Sequence, residues 1–188
     1  MKLATRDYPR IAILVGLIAA LGLIPKFSVG VIPISLQVLG VLLAGAILGS
    51  YRGTLAVLLF EVLVLAGLPL LTGGRGGFAV FFGPTFGFLI GWLVAAWVVG
   101  LVVENLNKVG LILSVSLGFV LAIVIWWACG IAWMYLGAQY GLYAGAAEAL
   151  AMTVPYVGVV VLGDLIKAVA AVLVVLGIKA SYPAALKN

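Results

Sequence analysis

The chain has 188 residues, of which 66% are hydrophobic and 8% charged, with 10 Lys+Arg against 5 Asp+Glu and no histidine. Soluble domains carry about half their residues apolar and about a quarter charged. A globule of this length hides only about 70% of its chain surface. A soluble enzyme, a disordered tail and a secreted disulfide scaffold are therefore excluded, and the scattered cations leave no patch for nucleic acid.

The expected solvent is the lipid bilayer, where a spanning helix needs about 20 apolar residues for about 30 Å of hydrocarbon. Met1 to Arg10 places Lys2, Arg6 and Arg10 before an apolar stretch with no small-residue cleavage site after it, so the segment reads as a retained helix rather than a signal peptide. Charges, prolines and glycine clusters divide the rest. The first span is Ile11–Ile24, stopped by Pro25-Lys26, and the second is Ile34–Leu48, with Pro33 near its first turn. Gly49 to Gly53 separates it from the third, Thr54–Leu68, which Pro69 ends. A loop, Thr72-Gly73-Gly74-Arg75-Gly76-Gly77, leads to the fourth, Pro84–Val103, and Glu104 to Lys108 leads to the fifth, Val109–Leu136. A softer segment from Gly137 to Thr153 precedes the sixth, Tyr156–Ile178. The expectation is an all-α polytopic membrane protein, one transmembrane domain over residues 1–188 built as a six-helix bundle.

Lys and Arg collect in cytoplasmic loops. With six spans, Lys2, Arg6, Arg10, Arg52, Lys108, Lys179 and Lys187 share a side with both termini, against Lys26 and Arg75 opposite. Both termini are thus expected in the cytoplasm and the glycine-rich loop outside. The short, proline-interrupted first three spans fit irregular backbone around a wet cavity, so a pocket opening outward under mobile loops is expected.

Charges inside a span cost about 2.5–3.5 kcal/mol each and usually serve a function. The sixth span carries two, Asp164 and Lys167, whose spacing of three places them on one helix face. A buried pair is weak support for a stability role, so they are the leading ligand-site candidates, with Gly163 beside them to allow close approach. Arg75 lies between two Gly-Gly pairs, with Gly74 and Gly76 as its neighbours. Its planar donor fork suits a carboxylate, and nearby backbone N–H groups can assist. Gln37 is a polar group in an apolar run, able to bond a ligand or another helix. Glu61 is expected to pair with a nearby cation or to be a protonated carboxyl. Cys129 is expected to be packing. Tyr51 and Tyr182 read as interface anchors, and Trp126, Trp127, Trp133, Tyr135, Tyr140 and Tyr143 as belt or packing residues, one or two of them walling a pocket. Ala12, Gly16 and Ala20 form a small-residue stripe for close helix contact, within this chain or with a separate membrane protein.

Ile32-Pro33-Ile34-Ser35-Leu36-Gln37, with Leu43 to Gly49 and Gly53, resembles the second-helix region of BioY, the biotin-binding S component of energy-coupling-factor (ECF) transporters in prokaryotes. Gly67-Leu68-Pro69, Thr72 to Gly77 and Gly83-Pro84-Thr85 with Gly87 are similar to an outer loop of that family, and Gly163-Asp164-Leu165-Ile166-Lys167 to its sixth helix. The resemblance implies the six-helix S-component fold, an extracytoplasmic biotin pocket, no cofactor or metal, and no ATPase of its own. A membrane T component and ABC ATPases would supply the drive, with Ala12, Gly16 and Ala20 suited to dock the T component in a prokaryotic cell membrane. Two departures stand out: Arg75 where some members have Asn, and Leu89 where some carry a cation. Biotin's ureido N–H pair would meet Asp164, and Lys167 or Arg75 its ureido oxygen or its carboxylate. The alternatives are an S component for another vitamin, which would favour an aromatic cage, and a membrane subunit without a ligand. An intramembrane enzyme is disfavoured, because Asp164, Lys167 and Glu61 form no recognisable catalytic set.

Overall fold

The computed structural model describes residues 3–24, 27–29 and 32–181. Lys2, Pro25, Lys26, Tyr182 and Lys187 lie outside the described residues. The chain is helical nearly throughout: α1 (Asp7–Gly22), α2 (Gln37–Leu65), α3 (Phe86–Leu106), α4 (Leu111–Tyr140), α5 (Ala146–Thr153) and α6 (Val157–Ser181). Two short strands, β1 (Phe27–Val29) and β2 (Ile32–Ile34), pair antiparallel between α1 and α2. Four helical stretches are long and apolar enough to cross a membrane: Gln37–Leu65, Phe86–Leu106, Leu111–Tyr140 and the combined Ala146–Ser181.

The expected spans shift in instructive ways. Ile34 belongs to β2 and not to a helix; Pro33 lacks a ladder donor and biases Ile32 toward extended backbone. The first helix starts at Asp7, and the fourth continues to Tyr140, where Gly141 adopts a left-handed cap. The softer segment is itself mostly helical, and α5 runs through a 3-10 turn at Val154–Tyr156 directly into α6.

The second and third spans meet with no loop between them: two helices, residues 37–48 and 50–65, run directly into each other through Gly49 (φ 82°, ψ −178°) and are together written α2. That backbone conformation suits glycine alone. The break is a reversal. A Cβ built on Gly53 would sit 2.6 Å from the Ala44 carbonyl oxygen, although residues nine positions apart would be about 13 Å apart along a straight helix. Residues 37–48 and 50–65 therefore lie as two arms folded against each other. Glu104 of α3 stabilises the tip, its two oxygens accepting from Ser50 N at 2.9 Å and Ser50 Oγ at 2.8 Å. A carboxylate there satisfies donors the break would orphan and faces the positive end of the second arm. Arg52, next to the tip, pairs through Nε with the fully buried Asp7 Oδ2 at 3.1 Å, which ties α1 to the same end. Neither Asp7 nor Glu104 stands out in the sequence, since their partners are more than forty positions away.

Gly53→Val should therefore be among the most damaging apolar substitutions in the chain. Overpacking against backbone costs about 1–3 kcal/mol, and a melting curve in detergent should show a clear drop in Tm.

The core runs through the α2 arms, α3 and α4, with Phe60, Phe119, Trp126 and Met134 fully buried. α3 packs most extensively, against α4 on one side and α2 on the other, while α6 closes the bundle against α4 and α2. α1 lies outermost on α2, burying Ile11, Leu14, Ile18 and Gly22 at helical spacing. Its Ala12, Gly16 and Ala20 stripe points the other way and is exposed, with open space around Gly16. An internal partner for that stripe is thereby ruled out among the described residues. Tyr51, Tyr135 and Tyr140 are likewise exposed on the bundle surface.

Candidate binding site

A cavity of about 600 Å³, including its mouth, lies at the end of the bundle opposite the Gly49 tip. Four elements and one loop line it: Ser35, Gln37 and Val38 at the start of α2, Leu71, Thr72 and Arg75 from the loop, Thr85 to Trp92 around the start of α3, Trp126 and Trp127 of α4, and Val160, Asp164 and Lys167 of α6. Asp164 and Lys167 are both buried, on one face of α6 as their spacing predicts, and Lys167 Nζ lies 2.5 Å from Asp164 Oδ1. Lys167 Nζ also donates to the Ser35 carbonyl at 3.1 Å. Trp127 Nε1 donates to Asp164 Oδ2 at 2.9 Å, and Trp126 Nε1 reaches the same oxygen at 3.4 Å. The buried pair is thus held by hydrogen bonds on most sides, the condition under which low-dielectric charges persist.

Another part of the wall comes from the glycine loop. Leu71 and Arg75 exchange both backbone hydrogen bonds, at 3.0 and 3.2 Å, and close Thr72-Gly73-Gly74 as a three-residue loop. Gly73 and Gly74 take positive φ (84° and 69°), which a side chain would resist. Gly76 packs where any Cβ would meet the Leu68 carbonyl. These glycines shape the loop and are not among the residues lining the cavity. Arg75 emerges beside the turn, with long hydrogen bonds to the Thr72 carbonyl (3.5 Å) and Thr85 Oγ1 (3.3 Å). Among the described residues it makes no ion pair, in contrast to Arg52 and Lys167. Burial pushes its guanidinium pKa down from the ordinary range, yet an arginine stays protonated in a protein. A cation without a counter-charge therefore faces the cavity.

Gln37 is 1% exposed and spends its hydrogen-bonding capacity on the protein. Its Nε2 donates to the Ile18 and Leu70 carbonyls at 3.3 and 3.0 Å, and its Oε1 accepts from Thr72 N and Oγ1 at 3.0 and 2.8 Å. Here Gln37 is the post that anchors the glycine loop to α1 and α2. Ser35 Oγ and Thr72 Oγ1 share a further hydrogen bond, so the loop is joined through Ser35 to Lys167. Gly163 stands apart, with nothing within 4 Å of a built Cβ, so no close approach occurs there in this structure. Glu61 is buried in the second arm of α2, outside the cavity lining; its Oε1 has no hydrogen-bond partner and, of its two expected states, pairing with a cation is not found among the described residues. Among the described residues no group of three His, Cys, Asp or Glu side chains converges to hold a metal.

Trp126 and Trp127 are the residues sequence reasoning undervalued. The sequence allows one or two of the aromatics to wall a pocket, and these two do; it gives no sign that they also hold Asp164 or that Trp92 joins the lining. Trp133 secures the far end of the loop, donating to the Gly83 carbonyl at 3.0 Å and stacking on Tyr143. Leu89 is an apolar part of the lining.

The family model described as the BioY family matches residues 1–184. The chain belongs to the BioY family. It is 46% identical to a biotin transporter BioY of Rhodobacter capsulatus, over 96% of this chain and 97% of that one, and 42% identical to one of Rhizobium etli with the same coverage. A solved structure described as the S-component for biotin from an ECF-type ABC transporter superposes with a TM-score of 0.77 at 30% identity, covering 95% of each chain. In this BioY-family chain Arg75 of the glycine loop and the Asp164–Lys167 pair line one cavity.

Proposed function

We propose that this chain takes up biotin as the S component of an ECF-type transporter, binding the vitamin in the cavity between the glycine loop and α6. The observation that carries the assignment is the pairing, in one apolar chamber, of a buried acid–amine couple with an arginine that has no counter-charge among the described residues. Biotin has polarity to match at both ends: a ureido ring with N–H donors and a carbonyl, and a valerate tail ending in a carboxylate. Asp164 Oδ1 accepts one ureido N–H, and the remaining Lys167 proton goes to the ureido oxygen. Arg75 takes the carboxylate through its planar fork. Trp92, Trp126 and Trp127 supply the apolar wall between them. Gln37, Gly74 and Gly76 serve the site by shaping the loop.

The chain reads as a single transmembrane domain with six crossings in a prokaryotic cell membrane, each α2 arm counting as one. The reversal at Gly49 and the near-complete coverage of the S-component fold support that count. Arg52, Lys108 and Lys179, with Arg6 and Arg10 drawn to the same end by the Asp7–Arg52 pair, lie opposite Arg75. That distribution supports cytoplasmic termini and an outward cavity. The exposed Ala12, Gly16 and Ala20 stripe offers a smooth face for a membrane T component, with ABC ATPases behind it. The protein itself does no chemistry on its ligand and needs no resident cofactor.

Mass spectrometry of small molecules retained through detergent purification tests the ligand. Biotin is the expected species, and it should compete away every other vitamin offered. Retention of a different vitamin, or no binding when biotin is added back, would overturn the assignment and leave family membership standing.

A further inference from the structure

Asp164 receives more from α4 than from its own helix. Trp126 and Trp127 are consecutive, so their side chains leave α4 about 100° apart, yet both indole N–H groups converge on Asp164 Oδ2. Both rings are buried, and Phe88 of α3 stands edge-on to Trp127 with centroids 5.3 Å apart and planes at 89°, which holds that ring in place. An indole N–H in apolar surroundings needs an acceptor, and a carboxylate offers two oxygens with about four lone-pair sites. The two indoles fill Oδ2, and Lys167 takes one side of Oδ1. One acceptor position remains, on Oδ1. Beside it, Lys167 keeps one of its three protons after bonding Asp164 and the Ser35 carbonyl.

We infer that Trp126 and Trp127 are positioning residues that set ligand specificity: by saturating Oδ2 they leave Asp164 a single open acceptor site, adjacent to a single Lys167 donor. The inference rests on the proposed biotin role of that pair. One acceptor beside one donor matches the neighbouring N–H and C=O of a cyclic urea. It does not match a guanidinium edge, which presents two parallel donors and needs both carboxylate oxygens. The site should therefore reject 2-iminobiotin, in which that carbonyl is replaced by an imine that is protonated near neutral pH.

The test uses the full chain in detergent, with biotin and 2-iminobiotin titrated into the parent, Trp126→Phe and Trp127→Phe, alongside indole 15N–1H spectra of the parent and of Asp164→Asn. Trp127→Phe should weaken biotin binding by roughly ten-fold, the scale of a hydrogen bond to a charged group, and should narrow the preference for biotin over 2-iminobiotin. Trp126→Phe, which removes the longer bond, should do the same to a smaller extent. Both indole resonances should move in ligand-free Asp164→Asn, an outcome that does not depend on the tryptophan variants folding well enough to bind. Unchanged affinity and selectivity in Trp127→Phe, equal weakening of both ligands, or indole resonances indifferent to Asp164→Asn would each overturn the inference. A parent chain that binds no biotin would instead defeat the biotin role, while the spectra would still report whether the indoles bond Asp164.

Discussion

Asp164→Asn is expected to bind biotin at least ten-fold more weakly than the parent, and Lys167→Met to lose a similar factor. Ten-fold corresponds to about 1.4 kcal/mol, a modest demand for a hydrogen bond to a charged group, which contributes about 1.5–3 kcal/mol. The complication is stability. Removing one member of a buried pair leaves its partner uncompensated and costs about 3–5 kcal/mol, whereas replacing both members is often close to neutral. The two single variants should differ in degree: without Lys167, Asp164 keeps two indole donors, and without Asp164, Lys167 keeps only the Ser35 carbonyl. The double variant Asp164→Asn with Lys167→Met separates the two roles. It should recover much of the lost Tm and none of the lost biotin affinity. Recovery of both, or parent-like affinity in either single variant, would show that the pair closes the bundle and holds no ligand. Biotin binding by isothermal titration and melting in the same detergent give both readouts.

Arg75→Gln should also weaken biotin by roughly ten- to hundred-fold, because it removes the charge-assisted contact assigned to the valerate carboxylate. The informative comparison is with biotin methyl ester, which keeps the ureido ring and lacks the negative charge. For the ester, the parent and Arg75→Gln should bind alike. If the substitution weakens acid and ester equally, Arg75 acts by shaping the loop through Thr72 and Thr85, to which it also donates. Lys is not an adequate replacement, since its ammonium cannot reproduce the bidentate fork. Arg75→Lys should accordingly recover only part of the affinity.

These expectations draw unequally on the sequence. The Asp164–Lys167 pair is legible in one dimension because its geometry is set by α-helical repeat alone: positions three apart in an apolar run must share a face. Membrane character, the approximate helices and the resemblance carried by Ile32 to Gln37 and Gly163 to Lys167 are readable for the same local reason. The Gly49 cluster is visible as a break between two spans, but the sequence suggests five residues between them, Gly49 to Gly53, where the chain reverses at Gly49 alone. A single residue with positive φ accomplishes the reversal, and it is permitted only because Gly53 admits the Ala44 backbone and Glu104 caps Ser50 from another helix. Gln37 illustrates the opposite limit. As a polar residue in an apolar run it reads equally as a contact to a ligand or to another helix, and only the structure shows it bonded to Ile18 of α1, Leu70 and Thr72 at the edge of the cavity.

From its sequence alone this chain is determined to be a helical membrane protein with an acid and an amine sharing one helix face, because hydropathy, repeat and charge are properties of neighbouring residues. Only the tertiary structure decides what those charges meet. Trp126 and Trp127 reach Asp164 across 38 and 37 positions, Lys167 reaches Ser35 across 132, and Arg75 is left without a counter-charge among the described residues. The physical reason is that hydrogen bonds and ion pairs act over a few ångströms of space. Which residues come within that range is settled by how the helices pack, and no spacing along the chain encodes it.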